Sequence, residues 1–262
     1  MPSLRRPSPL LLAALLAPSL GACVGAIARE PIVTDRPDFT EAAATVPAGM
    51  VQLEGGYTFA RAEGVGVHTV GEGLARIATG ARSELRLGIN SYRVISVDGA
   101  RDGGIEDASI GAKVSILEAA DYFDLRRPAL SLIVATTVPT GGRAVAERAW
   151  QPGAKVVIGW PLTGSLAWTS NLNYTYASEG GRRFGQGSGS TSLAYAATDR
   201  VGTYLEYFRF MPASRGGPGA GFVNGGVTYL LTSDFQLDAR LGAGTDGAGS
   251  GSFAGVGIAR RW

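Results

Sequence analysis

The feature that most constrains this chain is a two-residue alternation, sustained for about ten residues at a time and repeated from Val51 to Trp262. In MVQLEGGYTF, Val51, Leu53, Tyr57 and Phe59 fall on one face and Gln52, Glu54 and Thr58 on the other. DASIGAKVSI separates Ile110, Ala112, Val114 and Ile116 from Asp107, Ser109, Lys113 and Ser115, and DFQLDARLGA separates Phe235, Leu237, Ala239 and Leu241 from Gln236, Asp238, Arg240 and Gly242. Successive side chains of a strand point to opposite faces, so each stretch reads as a strand with one apolar and one polar face. Strands of soluble sandwiches average about five or six residues, whereas a tilted strand that crosses a bilayer needs about ten. Past the first twenty residues no apolar run approaches the length of a membrane helix. A chain of this kind can live in a membrane only as a closed barrel, because lipid leaves no partner for an open sheet edge.

The spacing predicts strands at roughly 50–60, 72–80, 83–93, 106–117, 129–138, 150–160, 164–177, 187–197, 201–211, 221–231, 233–244 and 252–262. The links alternate between Gly-rich stretches (RAEGVGVHTVG, DGARDGG, TGGRAVAER, SEGGRRFG, PASRGGPGA, TDGAGSG) and tight ones (TGARS, PLTG, ATDR, TSD), with EAADYFDLRRP breaking the rule. Long outer loops and short periplasmic turns produce this rhythm. The expected fold is all-β: a transmembrane up-and-down antiparallel β-barrel of about twelve strands. Tyr57, Phe59, Trp150, Trp160, Tyr174, Tyr176, Tyr207 and Trp262 are candidates for interfacial aromatic girdles, and Trp262 is expected to anchor the final strand during membrane assembly. The rival architecture is a soluble periplasmic or lipid-anchored β-sandwich, whose strands show the same alternation.

Residues 1–28 read as a signal peptide, with Arg5 and Arg6 before an apolar run and a cut after Ala28; an alternative lipobox cut lies before Cys23 in LGAC. Residues 29–49 are expected as a periplasmic N-terminal segment, and 50–262 as the barrel in an outer membrane. Cys23 is the single cysteine, which excludes a disulfide framework and a thiolate metal cluster; no metal or cofactor is expected. The formal net charge is +2, with acids scattered among the arginines, so no basic stripe for nucleic acid appears.

Just before the first strand stands TDRPDFTE: Thr34, Asp35, Arg36, Pro37, Asp38, Phe39, Thr40 and Glu41. Together with the signal and PAGMVQLEGGYTF, the box resembles the outer-membrane transporter family named for the meta-pathway of phenol degradation. The resemblance extends over nearly the whole mature chain. It implies an outer-membrane β-barrel with a transport or channel role, and it leaves the solute open. From the residues themselves, Pro37 restricts Arg36 to an extended conformation, and Arg36 can pair with Asp35, Asp38 or Glu41. The box is expected as a latch at the periplasmic rim, or as a gate or ligand contact.

The polar faces offer Glu54, Arg76, Glu84, Arg86, Asp107, Lys113, Lys155, Glu206, Asp238 and Arg240 as lumen and permeation candidates, because charges inside a narrow barrel must be paired or hydrated. His68, the single histidine, falls in the first Gly-rich link; with no G-x-S-x-G and no H-E-x-x-H in the chain, a barrel lipid-modifying enzyme is the weaker alternative and no enzymatic activity is expected. GAGTDG at 242–247 matches G-x-G-x-x-G formally but opens no helix. The arginines of the Gly-rich links, Arg182 and Arg183 among them, are candidates for lipopolysaccharide phosphates. The expected partners are outer-membrane lipid, lipopolysaccharide, the barrel-assembly machinery and an unidentified small solute. The expected function is passive or gated passage of small molecules, hydrophobic or aromatic ones among them.

Overall fold

The computed structural model describes residues 30–246 and 249–262, so the signal region, with both candidate cuts and Cys23, lies outside the described residues. Fourteen strand segments run in chain order: β1 (Val51–Ala62), β2 (Val65–Gly80), β3 (Ser83–Ile89), β4 (Tyr92–Val97), β5 (Ala100–Ile105), β6 (Ala108–Leu117), β7 (Ala129–Val138), β8 (Pro152–Pro161), β9 (Leu166–Glu179), β10 (Arg182–Ala196), β11 (Val201–Met211), β12 (Ala220–Thr232), β13 (Phe235–Gly244) and β14 (Ser252–Arg261). Every neighbour pairs antiparallel. β1 bonds to β2 on one side and to β14 on the other, which closes the sheet into a barrel.

The fourteen segments make twelve wall strands. β3 and β4 pair with successive stretches of β2 and form one strand interrupted at Asn90 and Ser91; β5 and β6 are likewise two parts of one strand, interrupted at Glu106 and Asp107. Closure excludes the sandwich. The last strand is held by pairing: Val51 and Trp262 exchange both backbone hydrogen bonds, at 3.2 and 2.9 Å.

The two faces of the wall obey opposite rules. Val114, Leu172, Leu205, Leu237 and Leu241 are exposed on the outside, as a lipid-facing band requires, while Gln52, Glu54, Glu84, Lys113, Asn171, Glu206 and Asp238 on alternate positions are buried inside. Trp160 and Trp168 stack at 4.6 Å on the outer face, close to the short 162–165 turn. The short links 81–82, 162–165, 197–200 and 233–234 share a rim with residues 50 and 262, which the loop rule of outer-membrane barrels makes the periplasmic one.

Three of the six Gly-rich links are shorter than the sequence suggested. RAEGVGVHTVG is mostly β2, DGARDGG is a turn followed by β5, and SEGGRRFG is the tip of the β9–β10 hairpin. Each turns on two residues of positive φ, Glu63 and Gly64, Asp98 and Gly99, Gly180 and Gly181, the conformation that two-residue hairpins demand because it matches the strand twist. His68 is therefore a strand residue. It lies on the outer face beside Phe59 and shares a hydrogen bond of 2.7 Å with the Tyr57 hydroxyl.

Candidate functional site

The barrel is filled by its own N-terminal segment. The segment from Pro31 to Met50 contains no helix or strand, yet its groups bond to inward-facing side chains from opposite walls. It therefore runs through the interior, and the TDRPDFTE box lies inside the lumen instead of stopping at the periplasmic rim.

An irregular chain inside a barrel has no ladder to satisfy its backbone, and an unpaired buried peptide group is costly. The wall supplies the partners. Three glutamates accept plug N–H groups: Glu54 from Asp35 (3.0 Å) and Arg36 (3.1 Å), Glu84 from Val46 (2.7 Å), and Glu206 from Phe39 (2.9 Å) and Thr40 (2.5 Å). Plug carbonyls accept from Arg76 (Val33 and Ala44, 3.1 Å each), Arg240 (Pro37, 2.7 Å), Gln52 (Val33, 2.9 Å) and Ser131 (Ala43, 2.5 Å). Gln236 donates to the Thr34 hydroxyl at 2.9 Å.

Side-chain charges add a second set of ties. The Asp35 carboxylate meets Arg86 at 2.6 Å, Arg76 at 3.2 Å and Lys113 at 3.3 Å. Burial pushes Asp35 up, but Arg76, Lys113 and Arg86 outweigh it and hold its carboxyl well below the usual range. Arg36 runs along the wall of β14, β1 and β2 to Glu72 at 2.5 Å, seated where Gly56 and Gly257 leave the wall bare; a Cβ at either glycine would collide with its guanidinium. Glu41 bridges Lys155 (2.6 Å) and Arg86 (2.9 Å). Phe39 stacks on Phe208 at 4.7 Å and meets Phe210 edge-on at 5.3 Å. Among the described residues Asp38 has no cationic partner: burial, with the Glu206 carboxylate beside it, holds its carboxyl well above the usual range.

The seal is tight along the wall. Gln52, Arg76, Glu84, Lys113, Val157, Asn171, Glu206 and Asn224 come from eight different wall strands, and none is more than 2% exposed. These side chains are dry where the plug packs against them. Above it, toward the outer rim, opens a vestibule of about 350 Å³ with Glu41, Arg86 and Lys155 among its lining.

Of the lumen candidates, Glu54, Arg76, Glu84, Arg86, Lys113, Lys155, Glu206, Asp238 and Arg240 all point inward. All except Asp238 hydrogen-bond or ion-pair with the plug at 3.3 Å or less; Asp238 lies 3.6 Å from Arg36. Asp107 does not. Its carboxylate accepts from Gly141 and Arg148 N–H groups at 2.8 Å and so ties the 139–151 loop to the break between β5 and β6. That loop also covers the free edge of β5, where Gly142 N–H donates to Ile105 at 2.7 Å. The wall residues Gln52, Ser131, Asn171 and Gln236 were not singled out in the sequence; their signal was only the inward parity they share with the charged residues.

A family described as "Putative MetA-pathway of phenol degradation" matches residues 34–262, from the first residue of the box to the terminal tryptophan. The chain belongs to this family. Among solved structures, an outer membrane channel from Pseudomonas putida F1 aligns with a TM-score of 0.60 at 14% identity, over 86% of this chain and 99% of that one. The NanC porin aligns at 0.55 and 9% identity (80% and 98% of the two chains), and the KdgM porin at 0.52 and 9% (79% and 98%). Likeness at such identities shows the fold, an outer-membrane β-barrel in contact with membrane lipid. A search of curated proteins returned no match.

Proposed function

We propose that this family member is a gated outer-membrane channel for small molecules, closed in the present conformation by residues 31–49. The observation that carries the reading is the construction of the seal. A barrel built only as a scaffold could fill its core with apolar side chains, whereas here the obstruction is a separate, irregular segment joined to the wall by hydrogen bonds and ion pairs. Each such contact can be replaced by one to water once the lumen wets, so the segment can leave without unfolding the barrel, whose twelve strands close through their own ladder.

The outer lumen supports passage of small amphipathic solutes. Phe208, Phe210, Phe222 and Phe253 line one side, and Arg86, Lys155 and Asn173 the other. Transport down a gradient needs no further machinery. The family likeness and the porin-like fold agree with this reading. Liposome swelling tests it: a variant lacking residues 31–46 should admit uncharged solutes up to roughly disaccharide size, with the intact chain much slower. Equal and negligible swelling by both, in vesicles that hold heat-modifiable barrel, would refute the channel.

A further inference from the structure

At the floor of the outer vestibule, the wall presents two cations to one carboxylate. Lys155 Nζ meets Glu41 Oε1 at 2.6 Å, and Arg86 Nη2 meets Oε2 at 2.9 Å. The two cations differ in what else holds them. Arg86 is fixed through its other nitrogen, Nη1, by Asp35 at 2.6 Å and Glu84 at 2.8 Å, so Nη2 is left as a pre-positioned prong. Among the described residues, Glu41 is the one carboxylate ion-paired with Lys155. Glu41 itself belongs to the plug and not to the wall. The Glu41 and Lys155 side chains are 17% and 18% exposed, so both are reachable from the vestibule.

The geometry points to a binding site for a small organic acid at Arg86 and Lys155, in which Glu41 is an internal stand-in for the ligand's carboxylate. Replacing one carboxylate by another leaves the count of buried charges unchanged, so the exchange escapes the desolvation cost that a neutral or cationic ligand would meet there. A planar two-oxygen anion fits an arginine prong with an ammonium beside it. The vestibule, at about 350 Å³, lies at the small end of ligand pockets. Its wall adds a further preference: the Asn173 Oδ1 atom is buried and has no hydrogen-bond partner, although the amide nitrogen is used by Ser188 at 3.0 Å. A ligand bearing a hydroxyl beside its carboxylate would satisfy that oxygen. Hydroxy acids are therefore the class best matched.

The consequence rests on the gated-channel reading. Glu41 is one of the plug's ties to the wall, so a ligand that takes Arg86 and Lys155 loosens the plug from the outer side. The solute would then contribute to opening its own path.

The test uses the full chain in detergent and in bilayers, with lactate as probe and lactamide as its uncharged counterpart. A Val46→Cys reporter in a Cys23→Ser background reads undocking, since Val46 is 1% exposed when the plug is seated. Calorimetry should show lactate binding, lactamide binding at least tenfold more weakly, and Lys155→Gln losing at least tenfold in lactate affinity. Glu41→Gln should bind lactate more tightly than the intact chain, and lactate should accelerate maleimide labelling at position 46. Lactate and lactamide behaving alike, or Lys155→Gln binding as tightly as the intact chain in a heat-modifiable barrel, would overturn the proposal. So would equal binding of inorganic phosphate, because the site would then be a general anion site. If lactate binds and drives labelling but no variant conducts, the site stands and the channel reading fails. If the plug-deleted barrel conducts and lactate does not bind, the reverse holds.

Discussion

Asp35→Asn isolates the charged centre of the plug. The carboxylate holds Arg86, Arg76 and Lys113 at 2.6, 3.2 and 3.3 Å, and its side chain is 3% exposed. Removing one partner of a buried ionic network costs about 3–5 kcal/mol, because the remaining charges lose their compensation. Glu54 and Glu84 still face Arg76 in the variant, so the low end, about 3 kcal/mol, is appropriate. At about 1.4 kcal/mol per factor of ten, the docked plug should lose roughly a hundredfold in its equilibrium against the undocked state. The readout is the rate at which maleimide labels the Val46→Cys reporter in the Cys23→Ser background. Glu118→Gln provides the contrast, since its pair with Arg82 at 2.9 Å is between side chains 54% and 70% exposed and such pairs contribute about 0–1 kcal/mol. Labelling should rise strongly in Asp35→Asn and stay within a few-fold of the parent in Glu118→Gln. Equal labelling in Asp35→Asn and parent, with both barrels folded, would refute the reasoning.

The remaining predictions concern pH, facing and assembly. Asp38 binds its proton more tightly in the seated plug than when free, because of its burial and of Glu206, so seating strengthens as pH falls through its raised pKa and weakens as pH rises through it. Asp35, held low, contributes above the free carboxylate range of about 4 and loses that contribution only as pH falls through its depressed pKa. Open probability should therefore rise as pH climbs through the raised Asp38 pKa and as it falls through the depressed Asp35 pKa, with a minimum between them, and Asp38→Asn should flatten the upper limb; an unchanged limb would count against this assignment. Val114→Arg and Leu237→Arg put a cation on the lipid face, where both residues are exposed, at about 2–4 kcal/mol near the midplane, whereas Ser115→Arg enters the lumen; urea titration in bilayers should rank the first two well below the third. Trp262→Asp keeps the backbone pairing with Val51 but removes an exposed interfacial ring over which Arg260 lies at 5.2 Å, and the yield in the outer-membrane fraction should fall. Parent-level yield would dismiss the anchor.

The wall was legible in the sequence because a barrel strand is ruled on both faces: Val114 and Lys113, or Leu237 and Asp238, declare their sides by parity alone. Glycine density misreads three outer hairpins as long loops, although the sequence carries a better signal. The pairs Glu63-Gly64, Asp98-Gly99 and Gly180-Gly181 stand where two positive φ angles are required, and the β-branched Val65, Val67 and Thr69 continue the strand beyond the first turn. The path of the plug was not legible. TDRPDFTE has no period, and its partners lie far along the chain, as with Thr40 and Glu206, 166 residues apart. What the sequence did contain was a surplus of inward acids and bases in a barrel too narrow to hydrate them. That surplus is the docking surface: Glu54 and Glu84 serve backbone N–H groups of the plug as well as the Arg76 guanidinium, and Glu206 serves the Phe39 and Thr40 N–H groups and the Asn224 amide.

Single-channel recording in planar bilayers, with the intact chain and a variant lacking residues 31–46 compared at the same salt, tests the central claim most directly. The account predicts brief, infrequent openings from the intact barrel and long-lived open steps of uniform size from the deletion. Indistinguishable traces from the two, with folding of both verified by heat-modifiable migration, would contradict it.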